Sequence, residues 1–281
     1  MEPQDVVSVL AAGWQALSEA IWLQSLITGA AGVAVGSFST QAVINRHQQL
    51  VSARAELTST KKAINLCFVI LNQYLAFKRQ MVAPMVVDFE TLDRNIRAAL
   101  ASPIKGEVLL ETDFKMFPPI TAPVAHLDTV LTEKVTMGGK GLAAALQISG
   151  ISEALNKSIE QRNQMISAFE HANLKPIEMA ERYLGLETDK GADTRLKDNV
   201  HAISLYTDDA IFFTHTSLQE LQKHGERLIR RTGRKLGSKR DLGSFALKDS
   251  AKHLMPTDAQ YVDWLNGFKE TKRWWMLWGK R

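Results

Sequence analysis

RLKDNVHAISLYTDDAIFFTHTSLQELQKHGERLIRR, residues 195–231, reads as one long helix without a proline. Leu196, Val200, Ile203, Ala210, Leu221 and Leu228 recur along one side of it. Ile211, Phe212 and Phe213 make its middle apolar on more than one face, so other helices must enclose it. That requirement implies an all-α bundle with this helix deep in the packing.

Working toward the N-terminus, the connector 174–194 contains Pro176, Gly185 and Gly191 and a short helix around Ile177–Leu184. Before it, the turn MGGKG at 137–141 precedes a long helix to about Asn173. Its seam is Ile148, Leu155, Ile159, Ile166 and Phe169, with Ser152 and Arg162 filling polar positions. A brief helix runs from near Pro123 to Lys134. Residues 84–119 hold four further prolines and read as a connector, with one short helix from Glu90 to Ala101 and an extended stretch at Val108–Leu110. Upstream, Leu50, Leu57, Ile64 and Leu71 sit seven apart with Ala53, Thr60, Cys67 and Tyr74 between them, a bundle seam. Pro84 ends that helix or closely follows its end.

Still further upstream, AIWLQSLITGAAGVAVGSFSTQAVI (20–44) carries no charge over 25 residues. As a helix it spans roughly 37 Å, against a hydrocarbon core of about 30 Å. Trp22 suits an interface, and the preceding residues are acidic whereas Arg46, His47, Arg54, Lys61 and Lys62 follow. The expectation is therefore an inner-membrane single-pass chain. Residues 1–19 would lie outside, 20–44 would span the membrane, 45–231 would form a cytoplasmic antiparallel bundle, and 232–281 would be a basic, Trp-rich tail. Thr28, Gly32, Gly36 and Thr40 share one face, and the GxxxG pair offers a seam for self-association into a homo-oligomer. The single cysteine, Cys67, excludes an intramolecular disulfide and fits a reducing compartment.

NRHQQLVSARAELTSTKKAINLCFVILNQYLAFKRQ, ISEALNKSIEQRNQMI and LYTDDAIFFTHTSLQEL follow the uncharged segment in that order. The arrangement resembles a group of uncharacterised bacterial single-pass membrane proteins with helical cytoplasmic regions. The resemblance covers about residues 15–235 and implies topology alone, with no activity or site residues attached.

Hydrophobic residues are 45% of the chain and charged residues 23%, which fits a folded protein rather than a disordered one. None of the seven histidines falls in an HExxH or a repeated Glu-x-x-His pattern, and one cysteine cannot build a Cys-rich zinc site. GGKG at 138–141 and TGRKLGSK at 232–239 miss the phosphate-loop spacing, and Ser59–Lys62 lacks the companions of an S-x-x-K enzyme. Asp208 and Asp209 read as a solvated turn of the long helix. No catalytic residue, metal ligand or cofactor is indicated, so the reading is of a non-enzyme.

Charge is unevenly spread. Residues 223–281 hold 15 Lys/Arg and 6 Asp/Glu, whereas the whole chain is only +4. Lys223, Arg227, Arg230, Arg231, Arg234, Lys235, Lys239 and Arg240 form a basic run suited to anionic lipid or another polyanion. Trp264, Trp274, Trp275 and Trp278 lie beside further Lys/Arg, a composition shared by interfacial helices, nucleic-acid stacking platforms and a tail packed on its own bundle. The function expected is a membrane-anchored scaffold, sensor or accessory subunit that associates with a lipid membrane and a protein partner on the bundle. Polyanion binding through nucleic acid is the alternative.

Overall fold

The computed structural model describes residues 41, 43–102, 110–172, 174–189, 191–236, 242 and 245–268. The chain divides into two units, residues 1–54 and 55–281. In the first, the described residues 41 and 43–54 are helical, and the Gln41 amide donates to Asn45 Oδ1 at 3.1 Å.

The second unit starts with α1 (55–77), whose heptad residues Leu57, Thr60, Ile64, Cys67, Leu71 and Tyr74 are all buried. Pro84 does not end the helical path. The chain passes through a π-helical turn, Lys78–Val82, into α2 (Ala83–Ala101). The Ala83 N–H reaches back five residues to the Lys78 carbonyl. Pro84 then falls in the first turn of α2, directly after the π turn, and the helical path continues past it. The turn resets the helical phase so that Met85, Phe89, Leu92 and Ile96 face the core. The connector expected from residue 84 therefore begins only after Ala101. Of the extended stretch expected at Val108–Leu110, only Leu110 is described, and it is irregular.

Next come α3 (Val124–Lys134), α4 (Gly139–His171), α5 (Pro176–Leu184) and α6 (Arg195–Leu236). The short α7 (Asp249–Lys252) and α8 (Val262–Asn266) follow, the latter after a 3-10 turn at Asp258–Tyr261. The fold is all-α: the described residues hold helices and no strand.

Contacts fix the directions. Lys140 of α4 meets Glu220 of α6 at 4.0 Å, while Ser158 meets Asn199, so α6 runs antiparallel to α4. Glu56 meets His224 and Cys67 meets Ser217, so α6 is antiparallel to α1 as well. At the α4–α6 crossing a Cβ on Gly141 would lie 2.6 Å from Glu220 Cβ and 2.7 Å from Met137 Sδ. The GGKG turn is thus a close-packing device. The deep middle of α6 is realised: Ala210 and Ile211 are fully buried, and Phe212 is covered by a stacked Tyr261 ring at 3.7 Å.

The anchor expected at 20–44 lies outside the described residues, apart from Gln41, Val43 and Ile44. Among the described residues no helix is long and apolar enough to cross a membrane, and the single-pass inner-membrane assignment is corrected accordingly. The long helices carry charged outer faces. The uncharged run of α1, Ala63–Phe77, ends at Lys62 and Lys78 after 15 residues, short of the roughly 20 a span needs.

Candidate functional site

Helix α4 has two working faces. On one, residues 110–123 lie against it as an irregular strap. Asn156 and Asn163, seven apart and so on one face, each close a pair of hydrogen bonds with strap backbone. Asn163 Oδ1 accepts from the Phe117 N–H at 3.0 Å and its Nδ2 donates to the Phe117 carbonyl at 2.8 Å. Asn156 does the same with Ile120, at 2.8 and 3.0 Å. Upstream of Phe117 on the strap, Arg162, only 1% exposed, donates to the carbonyls of Lys115 (2.6 Å) and Asp113 (3.4 Å). Its guanidinium lies 4.2 Å over the Phe117 ring. Burial pushes the Arg162 guanidinium below its usual value, opposed by Tyr183 and Asp113. The position read as a polar filler of the α4 seam is therefore the centre of a buried polar clamp.

The other face of α4 meets α5 and α6 across an open cleft of about 700 Å³. Met165, Phe169, Leu196 and Tyr206 supply its apolar wall; Gln161, Gln164 and Asn199 supply amides. Gly185 (φ +63°) ends α5 and lets the chain turn back onto Thr194, whose Cα would lie 3.2 Å from a Cβ at that glycine. That turn places Asp193 and Arg195 at the rim. Arg195 grips Asp193 through Nε (2.8 Å) and Nη2 (2.7 Å), and this hydrogen bonding holds the Asp193 carboxyl below the usual carboxylate range. Asp198 accepts from the Thr194 hydroxyl at 2.7 Å in the first turn of α6, where negative charge is favoured. Asn199 is 7% exposed. Its Nδ2 donates to the Ser158 carbonyl at 3.1 Å, while its Oδ1 is buried without a hydrogen-bond partner in the protein.

Two further polar clusters tie α6 to the rest. Glu56 Oε1 accepts from the Thr136 N–H (3.0 Å), the Thr136 hydroxyl and His224 Nε2 (3.0 Å). Burial works to raise the Glu56 carboxyl, but these bonds outweigh it and hold the group below its ordinary value. Asp208 pairs with Lys78 of the π turn at 2.5 Å, and Lys78 also donates to the Leu254 carbonyl. Asp209 accepts from the Tyr261 hydroxyl at 2.8 Å, and burial raises both Asp209 and Tyr261 above their ordinary values. The solvated turn expected at Asp208–Asp209 is instead a partly buried junction holding the C-terminal segment. Burial pushes the Cys67 thiol up to about 12, so it acts as packing rather than as a nucleophile.

Lys223, Arg227, Arg230 and Arg231 share α6. Glu220 pairs with Lys223 (2.9 Å) and Glu226 with Arg230 (3.2 Å), while Arg227 Nε donates to the Lys223 carbonyl, so part of that charge is answered in place. The side chains of Arg234 and Lys235, and all of Lys239 and Arg240, lie outside the described residues, as do Thr28, Gly32, Gly36, Thr40, Trp274, Trp275 and Trp278. Trp264 packs edge-on against Phe213 at 5.0 Å. Among the described residues no His/Cys/Asp/Glu group suits a metal ion. No family model, curated protein or solved structure matches this chain.

The cleft and the clamp were missed in the sequence, yet each left a trace. Arg162 interrupts an apolar seam, and Asn199 lies three residues after Leu196 and four before Ile203, on the apolar side of α6.

Proposed function

We propose that this chain is a helical sensor or accessory module that acts by binding, and that the cleft between α4, α5 and α6 is where it binds. The observation that carries this reading is the chemistry of the cleft wall. The amides of Gln161, Gln164 and Asn199 do not titrate, and the two carboxylates of the wall are already engaged, Asp193 by Arg195 and Asp198 by the Thr194 hydroxyl. Such groups recognise a ligand by hydrogen bonds and shape; proton transfer needs groups that titrate near working pH. A volume of about 700 Å³ is also that of a pocket for one small molecule. The antiparallel frame suits the role, because the strap clamp stiffens α4, one wall of the cleft.

Ala168 lines the cleft and is exposed, so Ala168→Trp plugs it with little strain on the core. A thermal-shift screen of the full chain against a small-molecule panel should yield compounds that raise the Tm of the parent but not of the plugged variant. Equal shifts in both proteins, or no shift from any compound, would contradict the reading.

A further inference from the structure

Beyond the cleft, we infer that the last turns of α6 carry a second, independent binding surface, and that its partner is the phosphate backbone of a duplex nucleic acid. Lys223, Arg227, Arg230 and Arg231 are exposed and share one side of the helix, a stripe about 12 Å long. The antiparallel packing brings cations from other elements to the same end. Lys140, at the start of α4, lies 4.0 Å from Glu220 of α6. Lys134 closes α3 two residues before Thr136, whose N–H donates to Glu56 beside His224. These six cations face the carboxylates of Glu133, Glu220 and Glu226, while Glu56 is taken up by Thr136 and His224. Exposed ion pairs such as Lys223–Glu220 and Arg230–Glu226 are weak enough to yield to a stronger anion. Among the described residues neither Arg227 nor Arg231 has a carboxylate partner.

The neighbours of the stripe decide between anions. A helix that lies in a lipid interface sets Trp, Phe or Leu beside its cations. Here Leu221 and Leu228 are buried, and among the described residues no large apolar side chain between 206 and 261 is exposed. Single strands are held by exposed rings on which their bases stack. Phe245, whose carbonyl accepts from Gln222 at this end, is instead packed on Phe68 at 4.8 Å. Charge alone is left, and three of the four stripe residues carry guanidiniums, whose planar forks match phosphate oxygens. A duplex offers its phosphates without unstacking any base, and such contacts carry no sequence information. Tyr206 of the cleft lies about 25 Å from Lys223 along α6, so the two sites do not overlap.

The test is fluorescence anisotropy of a short labelled DNA duplex of mixed sequence, titrated with the full chain. Binding should be saturable and should differ little between two unrelated sequences. Plotted as log K against log salt concentration, it should fall with a slope of about −4, as about four phosphate contacts require. Arg227→Gln together with Arg231→Gln should weaken it about 50-fold at about 0.1 M salt and reduce the slope by about two. Arg227→Lys with Arg231→Lys, which keeps the charge, should keep the slope. Arg94→Gln with Arg97→Gln, on α2 beside the first turns of α6, should leave both readouts unchanged, as should Ala168→Trp in the cleft. Duplex binding that survives the glutamine pair on α6, or that falls as far with the pair on α2, would overturn the inference. Tighter binding of the single strand than of the duplex would also overturn it, as would retention on phosphatidylserine vesicles with no affinity for the duplex.

Discussion

On one face of α4, Asn156 and Asn163 close around the backbone of residues 117 and 120, and every hydrogen-bonding end of both amides is used. On the other, Asn199 reaches across from α6 to the Ser158 carbonyl and leaves its Oδ1 without a partner. The two sides hold the same functional group, yet one is completed by the chain's own strap and the other is not. The difference is one of completion: the strap-side amides are satisfied at both ends, and the Asn199 amide at one. A completed amide stabilises the fold, whereas an incomplete buried one costs about 1–3 kcal/mol until something donates to it.

The largest break in this comparison should come from Arg162→Ala. It strips the clamp, leaves the Lys115 carbonyl without its Arg162 donor, and leaves the Asp113 carbonyl with the Tyr183 hydroxyl alone. Urea unfolding should show a loss of about 3 kcal/mol. Arg162→Lys should recover little of it, since an ammonium cannot reproduce the planar fork. A loss below 1 kcal/mol would mean that the strap holds without its clamp.

Gly141→Ala should come next, at about 2 kcal/mol, because the new Cβ overlaps Glu220 Cβ and Met137 Sδ where α4 crosses α6. It disturbs the α4–α6 side and leaves the strap alone, so the amide bonds to Phe117 and Ile120 should keep their hydrogen-exchange protection.

The smallest effect belongs to Glu56. Its carboxyl is held below the ordinary value, so its contribution is present above the unfolded-state carboxylate range and is lost as pH falls through the depressed value. Glu56→Gln should cost about 1 kcal/mol near neutral pH. Its stability should also vary less than the parent's between neutral and acid pH, as followed by Tm.

Much of the frame was legible in the sequence, because packing in a bundle is written as period. The seams Leu57–Leu71 and Ile148–Ile166 and the apolar middle of α6 all appear where that period places them. What escaped depends on pairs far apart in the chain. Nothing near Asp208 announces Lys78, and nothing near Glu56 announces His224. Pro84 looks like a stop until the π turn shifts it into a first turn. Arginine and asparagine are ordinarily surface residues, so Arg162 and Asn199 read as generic until the facing helix is known. The cleft exists only where α4, α5 and α6 meet, and no single segment encodes it.

One pair of unfolding measurements tests the central claim most directly: Asn163→Leu and Asn199→Leu, the same change on the two sides. Asn163→Leu leaves the Phe117 N–H and carbonyl without partners and should destabilise the chain by about 2 kcal/mol. Asn199→Leu gives up one bond to a helix carbonyl, but it removes the orphaned Oδ1 and buries apolar surface. It should therefore raise stability by about 1 kcal/mol. Opposite signs are the predicted result; equal losses from both variants would contradict the account.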